Sequence, residues 1–177
     1  VSRIIGPDEH RDFEAMAPDL AREATPIAGF TLDGQFPIVY AEKGLAMMEY
    51  RTRITQSGVD KVAYITGGSR DNAVPGYCEA LLITKDKSEL VAALQSFAKE
   101  HRHNMRARIR EDGVLVESFG VETHSMAIEL GTNAISQLLR FLRHSGFGGR
   151  EVRDLVAFLD ERLGFDIYGE LMGIAAS

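Results

Sequence analysis

Three of the five histidines carry most of the chemistry this chain could support. His101 and His103 stand two apart and His124 follows further on, so together they could offer three nitrogen ligands to zinc. Spacing argues against a metal, because residues at i and i+2 share a side only on a strand. This pair falls at the end of a helical pattern, beside several cations. The expectation is therefore no metal and no cofactor, with His101 stabilising a helix C-terminus as cationic side chains do. His124 has Glu122, Thr123 and Ser125 as neighbours and could act as a general base, although sequence neighbours are seldom triad partners. Cys78 with a histidine is a nucleophile-and-base alternative, but its apolar run Tyr77 to Thr84 predicts an inert buried thiol. The catalytic assignment stays open, with His101, His103 and His124 as its candidates.

Arginines make the second constellation. Arg106, Arg108 and Arg110 project from one face of a predicted strand while Met105, Ala107 and Ile109 point to the other. Arg51 and Arg53 alternate similarly. If the two strands are neighbours, five guanidinium groups form a patch able to grip carboxylates or phosphates bidentately. The plainer alternative is cross-strand pairing with carboxylates such as Glu117. An acidic protein surface is the expected partner rather than nucleic acid, because no exposed aromatics for base stacking are interleaved.

Three stretches resemble known families. Val62 to Arg70, VAYITGGSR, resembles the first strand and glycine-rich turn of short-chain dehydrogenases, which implies a dinucleotide's phosphates at a helix N-terminus. Asp71 and Ala73 stand where that family has glycine, and Pro75 and Gly76 interrupt the receiving helix. Thr25 to Tyr50 resembles the opening of PAS sensor domains, two strands around Asp33-Gly34 leading to a helical segment, which implies a ligand-sensing module. Ser145 to Arg153, SGFGGREVR, resembles the Gly-hydrophobic-Gly turn of helix-hairpin-helix motifs. That implies a phosphate contact at Gly146, Phe147 and Gly148 with Arg143, Arg150 and Arg153 nearby.

These residues need elements to hold them. Pro7 to Glu23 reads as a helix broken near Pro18, and Ile27 to Leu32 with Phe36 to Tyr40 as a hairpin. Lys43 to Thr55 is ambiguous between helix and strand, leaning to a strand from Met48 to Thr55 by the alternation of Tyr50, Thr52 and Ile54. Strands follow at Lys61 to Thr66 and Tyr77 to Thr84, and a helix to Glu100 opens with a capping box of Asp86 and Glu89. Met105 to Arg110 and Val114 to Phe119 flank Glu111-Asp112-Gly113 as a hairpin. Two helices carry Ile135, Leu138, Leu139 and Leu142, then Val152, Leu155, Val156, Leu159 and Leu163. A short amphipathic piece with Ile167 and Leu171 closes the chain.

Of the 177 residues, 45 % are hydrophobic and 26 % charged, which excludes a disordered or collagen-like chain. Net charge is −6, yet Lys99 to Arg110 holds five cations against Glu100, so +4 there leaves −10 on the remainder. No apolar run approaches the roughly 18 residues of a membrane span. A lone cysteine fits a reducing compartment, so the expected location is the cytoplasm. The expected fold is a single α+β domain over 1–177, with a sheet-containing core at 1–122, an antiparallel sheet with helices on one face, and a helical C-terminal hairpin at 123–177. No catalytic signature stands out, so the expected function is a non-catalytic binding or regulatory domain acting through protein-protein association. Apolar helix faces at Leu138, Leu142, Leu155, Leu159 and Leu163 make a protein partner or a homo-oligomer the expected association. The alternatives are a small cytosolic enzyme with a histidine-containing pocket for an anionic substrate, or a PAS-like sensor.

Overall fold

The computed structural model describes residues 47–174. The expected helix at Pro7 to Glu23, the hairpin of Ile27 to Leu32 with Phe36 to Tyr40, and the PAS-like stretch up to Ala46 lie outside the described residues. Chain order within them is β1 (Lys61–Gly67), β2 (Ala73–Val74), β3 (Tyr77–Ile83), α1 (Lys87–His101), β4 (Asn104–Ile109), β5 (Val114–Phe119) and β6 (Thr123–His124). A 3-10 helix (Ser125–Leu130), α2 (Ala134–Ser145) and α3 (Arg150–Arg162) follow. The four long strands form an antiparallel sheet in the order β1-β3-β5-β4, and β2 pairs with β6 in a small second sheet. This is an α+β fold.

Period-two patterning puts Cys78, Ala80 and Leu82 of β3 beside Val114 and Val116 of β5, all fully buried. Leu90, Leu94 and Phe97 of α1 and Leu138, Phe141 and Leu142 of α2 join them in one core, which places both helices on that face of the sheet. Each such large side chain contributes roughly 1.5–3 kcal/mol by leaving water. Asn133 starts α2, its side-chain oxygen accepting from the N–H groups of Ile135 (2.9 Å) and Ser136 (3.2 Å). Gly146, at φ 60°, ends it.

Helix α1 ends on Arg102, at φ 55° the one non-glycine residue in the left-handed region among the described residues. That conformation costs a residue with a Cβ roughly 1–2 kcal/mol. Arg102→Gly is expected to raise stability by about 1 kcal/mol. An unchanged or lower denaturant midpoint would contradict this account of the cap.

Several expectations are corrected. Met48 to Thr55 is not a strand: residues 47–57 have no regular structure, and Tyr50 is 83 % exposed. Gln56 instead acts as a local strand partner, its amide donating to the Val62 carbonyl (2.8 Å) and accepting from the Val62 N–H (2.7 Å) where β1 is bulged. The capping box at Asp86 is not made. Its side chain caps nothing, while its N–H donates to Thr84 Oγ1 at 3.2 Å. Ile167 and Leu171 sit in turns gathered by the Asp166 carboxylate, which accepts from the N–H groups of Tyr168, Gly169 and Leu171. Those donors hold the Asp166 carboxyl below its ordinary range, the Leu171 bond most of all.

The dehydrogenase-like turn after β1 leads to antiparallel strands rather than to a helix, so it is no dinucleotide cradle. At the helix-hairpin-helix-like turn Phe147 is buried and the arginines are already engaged. Arg143 pairs with Asp160 (3.0 Å) and Glu161 (2.7 Å), Arg150 with Asp154 (3.5 Å), and Arg153 donates to the Gly148 carbonyl (3.0 Å). Among the described residues no helix is long and apolar enough to cross a membrane.

Candidate functional site

Where the loop after β1 meets β6, glycines allow backbones to touch. The N–H of Gly120, just beyond β5, donates to the Gly76 carbonyl at 2.8 Å, and a Cβ at Gly76 would stand 2.8 Å from that of Glu122. Val121 and Thr132 exchange two hydrogen bonds of 3.0 Å, which fixes the start of β6. Ala73 then pairs with His124 and Val74 with Thr123, while the Ser125 N–H donates to the Asn72 carbonyl at 2.9 Å. Ser69 Oγ donates to Glu122 Oε2 at 3.0 Å. An open groove of about 360 Å³ runs beside this junction, with Ser69, Tyr77, Glu79 and Glu122 among its walls. Tyr77 donates to Glu79 at 2.7 Å, and its oxygen lies 3.2 Å from Glu117 Oε1. The Glu79 bond most of all raises the energy of a phenolate, so Tyr77 titrates above its ordinary value. Another depression, of about 460 Å³, is lined by Lys85 to Glu89 and Ile109 at the entry to α1, and Lys87 there is tied to the carbonyls of Arg110 and Glu111.

His124 is the exposed residue at the centre of the junction. Its Nδ1 accepts from the Met126 N–H at 3.1 Å, and Asn72 Nδ2 lies 3.2 Å from its Nε2. A neutral ring that accepts at Nδ1 carries its proton on Nε2, and the Asn72 amide accepts a hydrogen bond from it once a flip exchanges its nitrogen for its oxygen. His124 is thereby a donor at Nε2 whose resting partner is the Asn72 amide, at an exposed edge. A general base would need Nε2 unprotonated.

The other histidines lie elsewhere. His101 and His103 are gathered with His144 rather than with His124: ring centroids are 5.9 Å apart for His101–His103 and 6.0 Å for His101–His144. All three pack on the buried ring of Phe97. His144 carries no catalytic pattern in sequence; only its place at the end of α2 brings it here. No group of three or more His, Cys, Asp or Glu among the described residues is arranged to hold a metal. His103 Nε2 is buried without a partner, and burial, then His101, then Arg140 lower its proton affinity. The unfolded chain therefore binds the proton more readily. Stability is full above the ordinary value of about 6.5 and declines as pH falls through it toward the lower folded value. His103→Gln is expected to flatten the fall in melting temperature between neutral and mildly acidic buffer. Identical slopes for variant and wild type would show that His103 carries none of it.

The arginines do not form one patch. Arg51 and Arg53 are exposed outside the sheet, with Arg51 on Glu49 at 2.6 Å, and the neighbour of β4 is β5. Arg108 pairs with Glu117 at 3.1 Å, Arg106 lies over the Phe119 ring at 5.2 Å, and Arg110 sits in the hairpin turn. Cys78 is fully buried, and desolvation with Glu79 nearby pushes its thiol up to about 12.

No protein-family model matches the chain. It is 27 % identical over 177 residues to a protein of Staphylococcus epidermidis named "putative dipeptidase", a match covering 97 % of this chain and 37 % of that protein. A "putative dipeptidase" of Staphylococcus aureus is 28 % identical over 179 residues (98 % and 38 %), and one of Staphylococcus haemolyticus 26 % over 176 (97 % and 37 %). The chain thus spans little more than a third of the length of the curated relatives it matches.

These relatives overturn the expectation of a non-catalytic binding or regulatory domain, because nearly the whole chain matches proteins named for a catalytic activity. The physical reason for the miss lies in the helices. Of the leucines that suggested association, Leu138 and Leu142 are buried in the core and Leu159 packs against it, while Leu155 is half-buried and Leu163 exposed.

Proposed function

We propose that this chain is the substrate-facing segment of an enzyme that hydrolyses dipeptides. The observation that carries the reading is His124, held at Nδ1 by the Met126 N–H and thereby obliged to present Nε2–H at an exposed edge. A donor so fixed is suited to the carbonyl oxygen of a peptide bond, where negative charge develops as the tetrahedral intermediate forms. In the free protein that N–H rests on the Asn72 side-chain amide, which the substrate carbonyl displaces in this reading. Glu122, two residues before His124, and Glu79 give the adjacent groove a negative character that suits the free ammonium group of a dipeptide. The names of the relatives support the choice of dipeptides. Those relatives are much longer than the matched segment, and in this reading the groups that activate water belong to a corresponding part of the complete protein. The proposed compartment is the cytoplasm, where a single buried cysteine stays a thiol.

The test is hydrolysis of a panel of dipeptides by the complete protein, read as free amino acids released. Cleavage of dipeptides with little action on N-acetylated ones supports the reading, since acetylation removes the ammonium group. Failure to cleave any peptide would sink it.

A further inference from the structure

We infer that the 3-10 helix Ser125–Leu130 is a specificity element that takes an apolar side chain of the substrate, with Met126 as its principal contact; this rests on the dipeptide reading above. His124 is itself the N-cap of that helix, and the bond from the Met126 N–H to His124 Nδ1 places the methionine backbone 3.1 Å from the ring. Met126 is 78 % exposed and Leu130 74 % exposed, on a helix of six residues that buries none of its own. Two large apolar side chains left in water gain nothing for the fold, but each has apolar area to bury against a ligand. Methionine suits the task, because an unbranched polarizable thioether can follow side chains of different shape. The backbone of the element is irregular at Ala127 (φ −132°), so Met126 belongs to the turn that His124 caps rather than to a continuous helix.

Substrates with an apolar side chain, such as Ala-Leu, are therefore expected to be preferred over Gly-Gly and Ala-Asp, and the preference is expected to depend on Met126. The experiment compares kcat/KM for these three dipeptides in the complete wild-type protein and its Met126→Ser, Leu130→Ser and Met126→Leu variants. Both serine changes keep the backbone N–H that holds His124 and remove only exposed atoms, so melting temperatures should stay at the wild-type value. Expected is a fall of about tenfold in the ratio of Ala-Leu to Gly-Gly for Met126→Ser, a smaller one for Leu130→Ser, and recovery in Met126→Leu. Unchanged ratios in an enzyme that still cleaves dipeptides overturn the inference and leave the dipeptide reading standing. An equal fall for every dipeptide means that Met126 packs on protein rather than substrate, which also overturns it. Absence of cleavage by the wild type overturns both.

Discussion

Replacing His124 by alanine is expected to lower kcat/KM for dipeptide hydrolysis by about a hundred- to a thousandfold, the usual consequence of removing one preorganised donor from a developing oxyanion. The same change removes the acceptor for the Met126 N–H, which costs only about 1 kcal/mol of stability, as for other N-cap losses. Stability and activity therefore separate. His124→Gln is expected to recover part of the lost activity, because its amide keeps an N–H donor that alanine lacks. Full activity in the alanine variant would remove His124 from the site and leave Asn72 without the role given to it here.

The largest effect on the fold is expected at Gly120. A Cβ there would collide with the Thr132 carbonyl and stand 3.0 Å from the Ala134 nitrogen, both backbone atoms that no rotamer change can move aside. Gly120→Val is expected to cost about 3 kcal/mol, at the upper end of overpacking penalties, and to abolish hydrolysis because the Val121 and Thr132 hydrogen bonds aim β6. Gly146→Ala is the control. Gly146 has φ 60° but open space around its Cβ position, so that change should cost about 1–2 kcal/mol and leave hydrolysis intact. Equal melting temperatures for Gly120→Val and wild type would show that the junction yields where the structure makes it rigid.

Much of the sheet and the helices was legible because their signals are local. Glu111-Asp112-Gly113 set the β4–β5 hairpin, and the spacing of Leu138 and Leu142 set the buried face of α2. Alternation at Tyr50, Thr52 and Ile54 misled because a strand also needs a partner, and Gln56 takes that place at the bulge in β1. The turns at Ile167 and Leu171 were hidden for a related reason. One carboxylate, Asp166, collects three backbone donors there and leaves no helical ladder.

In the candidate site, residue type alone singled out His124, but its partner Asn72 lies 52 residues earlier in what reads as an ordinary polar loop. The pairing arises only when β2 lies against β6. His101 and His103 were grouped with the wrong third histidine, since nothing in sequence tells that the ends of α1 and α2 converge on Phe97. The dipeptidase reading was missed because the residues proposed to carry it orient and present. A donor, an amide and two carboxylates leave none of the spacing signatures that a metal site or a nucleophile leaves.

The protonation of His124 and its response to substrate test the account most directly. Two-bond proton–nitrogen spectra of the five histidines can be recorded with and without a dipeptide analogue whose peptide nitrogen is replaced by a methylene group, so that it cannot be cleaved. The expected result is the Nε2–H tautomer for His124 in the free protein, with its signals alone moving markedly as the analogue is added and the signals of His101, His103 and His144 staying in place. A proton on Nδ1, or a His124 indifferent to a saturating analogue, would contradict the claim that this histidine faces the substrate as a donor.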